Sequence, residues 1–579
     1  MGSAYQMATQ RLWAHWPLTF FLSVWALPLL WLFRPGAKRP DRIKYILAGS
    51  AGSVLLALSF PPISISFCSW VAWIPVLWMA DRLIKSRLSP WFYLYHVFVL
   101  WNILNTYWVA NAALMPAFVA IWLNSFFMLI PWWLARKTRL IFPILGWWPL
   151  LVYWVAYEQF HHQWELSWPW LSLGNAWAGQ TSWIQWYEYT GTMGGSLWIW
   201  LINLLLYGWI CKREQPLSLQ TNGRELKSSF LLSAFLIAVL PVFWSLWLYS
   251  KPGPAGQEVE VAVVQPNFEP HYEKFEVDEY TQLKRFDSLA RRVIRPSTRY
   301  LVFPETSFGD AGAIFRRHQM HEDGRILYWK NFIDSFPGLQ LVMGITSLRE
   351  LQPGEPPTRY ARRYRRSDLE RYYEIENAAI QLSAGSDSIL HYRKSKLVPG
   401  AEIFPYREWL PFLSPVVDKL GGSLEGLATQ PDREVFGDGP NRIAPVICYE
   451  SVYGDYMRGY VRNRAQAVFV MTNDGWWDDT PGYKQHMAYA RLRAIEFRKP
   501  VVRSANSGIS CFIDRRGEVS QATQYGIPAA IVSKVQFSDE QTFFSRYGDL
   551  VGAFCRLFAL ILLTMTLILW IKKSWLEKL

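Results

Sequence analysis

The chain has 579 residues, of which 17% are aromatic and only 18% are charged, and it contains 33 tryptophans. This composition excludes a single soluble globule and is typical of a membrane protein, because tryptophan concentrates in aromatic belts at membrane interfaces. The net charge of +13 does not indicate a nucleic-acid partner. Many basic residues fall in short links between apolar segments, where they predict membrane topology instead.

Apolar runs fill the first half of the sequence, and one more lies near the C-terminus. Most are close to the roughly 20 residues that cross a bilayer as a helix, and each is predicted to be a membrane span. The runs are Pro17–Phe33, Tyr45–Phe60, Phe67–Met79, Trp91–Val109, Met115–Leu134, Ile141–Tyr157, Met193–Ile210, Phe230–Tyr249 and Val551–Ile571. Basic residues cluster in alternate links, so positive-inside topology puts those links in the cytoplasm and residues 251–547 outside.

The predicted spans divide the chain into three parts. Residues 1–250 form a transmembrane domain of about eight helices, residues 251–547 form an outer domain, and residues 548–579 form a final helix with a cytoplasmic tail. In the outer domain, β-prone runs alternate with amphipathic stretches such as Val277–Val293 and Lys484–Phe497, which is typical of an α/β sandwich. The β-prone runs are Val259–Val264, Tyr300–Phe303, Leu339–Ile345, Ala378–Leu382, Ile443–Ile447, Ala467–Met471, Val501–Ser504 and Ser510–Ile513.

The stretch Arg359–Arg371 contains six arginines interleaved with tyrosines. We interpret it as a solvated loop or hairpin. A surface that meets anionic lipid head groups is the alternative, since basic residues near a membrane gain about 1 kcal/mol each.

The five cysteines show neither paired spacing nor a zinc motif, so we expect no disulfide framework, no metal and no cofactor. Cys68, Cys211 and Cys555 lie in or beside apolar spans and are interpreted as packing residues. An odd number that includes one candidate nucleophile, Cys448, favours a free thiol.

Three strand-like runs of the outer domain end in residues suited to acyl chemistry, namely Glu305, Lys394 and Cys448. A thiol attacks a carbonyl only as thiolate, and a carboxylate within hydrogen-bond reach can take its proton. A lysine and the backbone N–H after the nucleophile can stabilise the oxyanion. Each residue alone would be interpreted as a surface charge or a buried cysteine. Together, at the ends of predicted strands, they favour one site at a sheet edge.

This pattern resembles the nitrilase, or carbon–nitrogen hydrolase, superfamily, whose signature is a Glu-Lys-Cys triad in an αββα sandwich. The matching segments, in order, are Phe303-Pro304-Glu305-Thr306, Tyr392-Arg393-Lys394 and Ile447-Cys448-Tyr449-Glu450, followed by Thr472–Trp477 and Arg503–Gly508. The membrane part also resembles one branch, the apolipoprotein N-acyltransferases, at Trp168–Leu171, Gly174 and Ile184–Asn203. Lys394–Glu402 is similar to the segment in which that branch carries its lysine and a further glutamate.

The resemblance implies a multi-span α-helical membrane domain plus an extramembrane nitrilase-like sandwich on the periplasmic side of a bacterial inner membrane. It implies ping-pong acyl transfer from the sn-1 ester of a phospholipid, through a thioester on Cys448, to the α-amine of a diacylglyceryl lipoprotein. Glu305 would be the base, and Lys394 with the Tyr449 amide would hold the oxyanion. Glu402 and Glu450 would orient Lys394 and the loop around Cys448. The remaining supporting residues are Asn377, Asn473 and Asn506. We expect a monomer.

The sequence departs from that family at three places. Pro399-Gly400-Ala401-Glu402 stands where the family has Pro-Phe-Gly-Glu, which predicts a different shape for the loop that carries Glu402. Phe275 stands near the position of a tryptophan expected on a mobile arm, and the span Pro17–Phe33 is additional to the usual eight.

Two other functions fit parts of the sequence. A membrane-tethered amidase or nitrilase would use water as acceptor, but it needs only an anchor rather than many spans with their own motifs. A transporter or receptor would carry ionisable residues along its spans. The spans here hold mainly His96 and asparagines, so this function is less favoured.

Overall fold

The computed structural model describes residues 2–32, 41–213, 223–253, 256–308, 314–364, 371–409, 426–437 and 439–576. The chain forms two compact units. The first comprises Met1–Ala110, Ala117–Lys251 and Tyr547–Leu579, and the second comprises Asn111–Pro116 and Pro252–Arg546. The short link Asn111–Pro116, which the sequence assigns to the membrane domain, thus belongs to the second unit.

Helices make up the apolar parts of the chain. They are Gly2–Thr9, Trp16–Leu32, Asp41–Ser59, Trp73–Lys85, Trp91–Thr106, Val109–Ala112, Leu114–Phe118, Asn124–Phe127, Leu129–Ile141, Trp148–His161, Tyr187–Arg213, Gly223–Ser250 and Leu550–Leu576. Among the described residues, five segments are long and apolar enough to cross a membrane: Ser66–Lys85, Leu114–Ile141, Tyr187–Cys211, Ser229–Ser250 and Leu550–Lys573. Trp16–Leu30 is a shorter apolar helix. The chain is a membrane protein, and the larger number of spans stays a prediction.

One predicted span begins at the wrong residue. The apolar run Ile141–Tyr157 becomes helical only at Trp148, after a short turn at Pro143–Leu145 and a left-handed Gly146 with φ of 54°. Proline removes a backbone donor and glycine permits the positive φ, so Pro143 and Gly146 delay the start of the helix beyond the start of the apolar run.

Tryptophans form the centre of the first unit. The Trp73 ring stacks on Trp200 with centroids 4.7 Å apart and meets Trp154 at 5.0 Å. Trp101 and Trp132 flank the same ring at 5.9 and 6.1 Å, and all five side chains are buried. These five tryptophans therefore pack helices together, and the assignment of tryptophans to interfacial belts stays a prediction for the rest. Large flat rings provide the van der Waals contact that helices need where water does not drive association.

The second unit contains two sheets. The first has the strand order β13-β1-β2-β4-β6-β5, with β3 paired to β4 and β7 paired to β6. Its strands are β1 Glu258–Gln265, β2 Thr298–Val302, β3 Phe315–Arg316, β4 Gln340–Glu350, β5 Arg362–Arg363, β6 Tyr372–Ser383, β7 Ile389–Arg393 and β13 Ala529–Gln536. Of the arginine-rich stretch, Arg362 and Arg363 form the edge hairpin with β6, while residues 365–370 lie outside the described part.

The second sheet has the order β12-β11-β10-β9-β8. Its strands are β8 Ile443–Ile447, β9 Ala467–Thr472, β10 Val501–Ala505, β11 Cys511–Ile513 and β12 Val519–Ser520. Side chains of the two sheets share one apolar core, in which Val261 and Tyr300 meet Val446 and Phe469. Every residue of β8, β9 and β10 is buried, as expected for parallel strands covered on both faces.

Helices cover the outer face of each sheet, which completes an αββα sandwich. Glu279–Val293 and Gly324–Asp334 pack on the first sheet through a second apolar core, whereas Gly454–Arg462 and Pro481–Phe497 pack beside the second. β1, β2 and β4 are parallel, as are β8, β9 and β10. Parallel strands bring their carboxyl ends to one edge of a sheet. Glu305 and Lys394 follow strands of the first sheet, whereas Cys448 follows β8 of the second, which corrects the prediction of a single sheet edge.

Candidate active site

Glu305 lies in a tight turn directly after β2. The turn is fastened to β4 because Gly344 N donates to Pro304 O at 3.1 Å and Ser307 N donates to Gly344 O at 2.8 Å. A Cβ on Gly344 would stand 2.6 Å from the Glu305 Cα, so the close approach requires glycine. Thr306 takes a positive φ of 47°. The result is a carboxylate that is 6% exposed and held at the strand end.

Three donors surround the Glu305 carboxylate. Oε1 accepts from Lys394 Nζ at 3.1 Å and from Asn377 Nδ2 at 2.8 Å, and Oε2 accepts from Asn473 N at 3.1 Å. Burial alone raises the pKa of Glu305, but the Lys394 ammonium and the Asn377 amide outweigh it and hold that pKa below its ordinary value. Glu305 is therefore a carboxylate at neutral pH.

Lys394 follows β7 and is buried between two glutamates. Its Nζ lies 2.8 Å from Glu402 Oε1 and 3.1 Å from Glu305 Oε1. Burial lowers the pKa of Lys394, but the two carboxylates outweigh burial and keep the pKa above its ordinary value. The loop Pro399–Glu402, whose sequence differs from that of the family, is held by a hydrogen bond from Val398 N to Glu402 Oε2 at 2.9 Å and takes a positive φ of 84° at Gly400. It brings Glu402 to Lys394 despite that difference.

Cys448 follows β8 and begins a short 3-10 helix that extends to Val452. It takes a positive φ of 47°, which is strained for a residue with a side chain. Its carbonyl accepts from Ser451 Oγ at 2.7 Å, and the thiol is buried. Burial and the Glu305 charge raise the pKa of Cys448, against a lowering by Lys394. The charges of Glu305 and Lys394 therefore both act on the thiol, and the thiol stays protonated in the free enzyme.

Glu450 connects the strand of the nucleophile to the strand of the lysine. Its Oε2 accepts from Ile447 N at 2.9 Å, immediately before Cys448, and its Oε1 accepts from Ser395 N at 2.7 Å, immediately after Lys394. Two tyrosine hydroxyls, Tyr392 at 2.8 Å and Tyr456 at 2.5 Å, also donate to Oε1. None of these hydrogen bonds involves Lys394; they fix the backbone beside Cys448 and the backbone beside Lys394.

Asn506 holds Asn473, which in turn holds Glu305. Asn506 Nδ2 donates to Asn473 Oδ1 at 2.9 Å, and Asn506 Oδ1 accepts from Phe268 N at 3.1 Å. Of the three asparagines named from the sequence, Asn377 and Asn473 thus bond to Glu305 directly, and Asn506 bonds to Asn473. Tyr449, whose amide was assigned to the oxyanion, directly follows the thiol and is buried.

Sequence reasoning missed a buried charged cluster behind Cys448. His486 Nε2 lies 3.2 Å from the Cys448 carbonyl oxygen, and His486 Nδ1 lies 3.0 Å from Asp474 Oδ1. Arg503 donates to Asp474 Oδ2 at 2.7 Å. Burial raises the pKa of Asp474, but Arg503 and His486 outweigh it and lower that pKa to about 2. The available signal was Arg503, a cation in the middle of an apolar strand.

A second missed residue is Lys274, in the segment before the helix Glu279–Val293. It is 1% exposed and its Nζ donates to the Glu305 carbonyl at 3.1 Å and to Thr306 Oγ1 at 2.7 Å. Its neighbour Phe275 stacks on Trp476 with centroids 6.2 Å apart. Nothing in the polar sequence around Lys274 distinguishes it from a surface lysine.

The arrangement can perform nucleophilic acyl chemistry with protein groups. It combines a thiol, a carboxylate and an ammonium with backbone donors, in a setting where burial strengthens each electrostatic interaction. Within the described ranges, no group of three or more His, Cys, Asp or Glu side chains could hold a metal ion.

Two family models match the chain. Residues 52–205 match the model described as "Apolipoprotein N-acyltransferase N-terminal domain", and residues 362–542 match the model described as "Carbon-nitrogen hydrolase". The second match contains Lys394 and Cys448, and the first lies within the helical part of the chain.

Similar proteins cover nearly the whole length. The chain is 25% identical to an apolipoprotein N-acyltransferase of Chlorobaculum tepidum, over 87% of this chain and 92% of the relative. It is 27% identical to one of Geobacter metallireducens, over 89% and 93%. Among solved structures, Saccharomyces cerevisiae Nit3 of the nitrilase superfamily matches 50% of this chain and 93% of its own, at 16% identity and a TM-score of 0.34.

Proposed function

The chain belongs to the apolipoprotein N-acyltransferase family, and we propose that it transfers a fatty acyl chain from a phospholipid to the N-terminal amine of a diacylglyceryl lipoprotein. It is a membrane-bound acyltransferase with a carbon–nitrogen hydrolase fold. In this proposal the acyl donor is a phospholipid, the catalytic residues are Glu305, Lys394 and Cys448, and the second unit lies on the periplasmic side of the inner membrane. One chain supplies all three triad residues, which supports a monomeric enzyme.

In the first half-reaction, Cys448 attacks the sn-1 ester of the phospholipid. Glu305 takes the thiol proton as the sulfur–carbon bond forms, and the carbonyl oxygen becomes an oxyanion. Lys394 has three N–H donors, of which two are directed to Glu305 and Glu402. In the proposed reaction, the third N–H of Lys394 and the backbone amide of Tyr449 donate to the oxyanion. The ester C–O bond then breaks, Glu305 returns the proton to the leaving oxygen, and a lysophospholipid departs.

In the second half-reaction, the neutral α-amine of the lipoprotein attacks the thioester. The same donors hold the second oxyanion, and Glu305 takes a proton from the attacking nitrogen. The carbon–sulfur bond breaks, an amide forms, and the proton passes to the Cys448 sulfur. A thioester suits this sequence because it reacts readily with an amine, provided that the cleft limits the access of water.

The resting protonation states explain why substrate must be present for the thiol to react. Glu305 has a lowered pKa and Cys448 a raised one, so the proton stays on sulfur in the free enzyme. Proton transfer becomes favourable only as the attack moves negative charge from sulfur onto an oxygen beside Lys394. This coupling of proton transfer to bond formation is general base catalysis.

The observation that carries the proposal is the buried contact of Glu305 with Lys394 at 3.1 Å, at the strand ends beside Cys448. An ion pair removed from water is costly unless further hydrogen bonds compensate it. Here Asn377, Asn473 and Glu402 supply them. A site maintained at that cost beside a thiol supports catalysis better than it supports simple packing.

The test uses the full-length protein in vesicles that contain a phospholipid labelled in its sn-1 chain. A synthetic diacylglyceryl cysteine peptide with a free amine is then added, and its N-acetylated form is the matched control. The proposal predicts label on the free-amine peptide, none on the acetylated one, and none with Cys448→Ala. Release of free labelled fatty acid with both peptides unlabelled would identify a hydrolase that uses water and would contradict the proposal.

A further inference from the structure

Lys274 carries a buried amine that the proposed reaction does not use. It is 1% exposed, and its Nζ reaches the backbone carbonyl of Glu305 at 3.1 Å and the hydroxyl of Thr306 at 2.7 Å. Both partners belong to the turn that carries the proposed base. Thr306 is β-branched and takes a positive φ of 47°, so this turn needs contacts that hold it in place.

An amine at this position is expensive to maintain. Burial lowers the pKa of Lys274 to about 7, partly opposed by the charge of Glu305. A methionine of similar length would fill the space without the desolvation cost of an ammonium. Packing alone therefore does not explain the choice of lysine, whereas two short hydrogen bonds to the base turn do.

The segment that carries Lys274 is itself tied to the far side of Glu305. Phe268 N donates to Asn506 Oδ1 at 3.1 Å, Asn506 Nδ2 donates to Asn473 Oδ1 at 2.9 Å, and Asn473 N donates to Glu305 Oε2 at 3.1 Å. Lys274 N is anchored on Glu269 O at 2.8 Å. These contacts thus form a closed ring. It connects the Glu305 carboxylate to Asn473, Asn506 and the segment Phe268–Lys274, and Lys274 closes it by bonding to the Glu305 backbone.

We propose that Lys274 is a positioning residue for the general base, which fixes the Glu305–Thr306 turn through its two hydrogen bonds and helps to keep the Glu305 carboxylate ionised. This role rests on the proposed function, in which Glu305 takes the thiol proton. The charged and titratable groups that face Glu305 are Lys394 from the end of β7, Cys448 from the end of β8 and Lys274. Glu402 faces Lys394. Lys274 thus supplies one of the two amines at the base, and below its pKa of about 7 that amine is a cation.

The test measures single-turnover acylation of Cys448 against pH in the full-length protein with phospholipid, by intact mass. Lys274→Met keeps the length of the side chain and removes its donors and charge. Lys274→Arg keeps a charged donor, and Lys284→Met on the exposed face of the same region is the matched control. Thr306→Val is an independent variant, because it removes one acceptor of the Lys274 amine and preserves the shape of the side chain.

We expect Lys274→Met to slow acylation on the order of 10- to 100-fold at neutral pH, the range for losing hydrogen bonds to a charged group. Its acid limb should move to higher pH, because removing a cation raises the pKa of the remaining carboxylate. Lys274→Arg should recover part of the rate, and Lys284→Met should match the wild type. A purely structural lysine would change only the amount of folded protein and leave the pH profile of the folded fraction unmoved.

Three outcomes separate the possibilities. If the wild type forms no acyl adduct, the proposed function fails, and the role of Lys274 fails with it. If the wild type is acylated and folded Lys274→Met reproduces its rate and pH profile, the role of Lys274 alone is refuted. If Lys274→Met does not fold, Thr306→Val decides. A several-fold slower acylation supports the positioning role, and a wild-type rate overturns it.

Discussion

Glu450 is the residue whose replacement should reveal most about how the site is held together. In the Glu450→Gln variant one carboxylate oxygen becomes an NH₂ group, which cannot accept the hydrogen bonds that now reach it. Oε1 accepts hydrogen bonds from Ser395 N, Tyr392 OH and Tyr456 OH. The amide nitrogen is therefore less costly at Oε2, where it faces the Ile447 N–H and, at 3.4 Å, the Tyr460 hydroxyl.

The magnitude follows from these contacts. A hydrogen bond to a charged group contributes about 1.5–3 kcal/mol, and a buried donor left without a partner costs about 1–3 kcal/mol. Because the two terms overlap, we expect Glu450→Gln to destabilise the second unit by about 2–5 kcal/mol. Separation of Ile447 from Ser395 also displaces Cys448 relative to Lys394, and a shift of about 1 Å can reduce a rate on the order of 100-fold.

The assay combines thermal unfolding of the detergent-solubilised protein with single-turnover acylation of Cys448. We expect a lower melting temperature by roughly 5–15 °C and the reduced rate at a temperature where the variant remains folded. Glu276→Gln, at an exposed position, is the control and should change neither. Wild-type stability together with a wild-type rate in Glu450→Gln would refute the role of Glu450 in holding the end of β8 to the end of β7.

Four further predictions rest on the same geometry. Cys448→Ala should trap no acyl group, whereas Cys511→Ala, at the start of β11, should keep its activity. Equal loss in both would contradict the assignment. Iodoacetamide should modify Cys448 slowly at pH 7 and faster with each rise in pH, because burial raises the thiol pKa, and rapid modification at pH 7 would contradict it. Glu402→Gln should slow acylation about tenfold by loosening Lys394. Glu305 has a lowered pKa, so activity should persist on acidification and fall only below its ordinary value of 4.5, as mass-detected acylation at low pH would measure.

Much of the catalytic framework could be predicted because its determinants are local. Buried parallel strands appear as short apolar runs that end at one edge of a sheet, so the sequence predicts Glu305 and Cys448 close together. It does not predict that they follow strands of two different sheets. Lys394 follows β7, which lies in the same sheet as the strand before Glu305 and runs parallel to it. The sequence also located the asparagines and Glu402 through the family resemblance.

What could not be predicted depends on contacts between distant parts of the chain. β13 pairs with β1 across more than 250 residues, and no local pattern specifies that partner. Lys274 lies between glutamates and an aromatic residue, a composition that ordinarily faces water, and only the fold turns it toward Glu305. His486 belongs to a helix whose apolar periodicity says nothing about the polar side chains on its buried face.

The central claim is tested most directly by the mass of the protein after incubation with phospholipid alone. We predict one added fatty acyl group, located on Cys448 by peptide mapping, sensitive to hydroxylamine as a thioester, and discharged when a diacylglyceryl cysteine peptide is added. An unmodified wild-type mass under conditions in which the same sample N-acylates the peptide, or an adduct that persists in Cys448→Ala, would contradict the account.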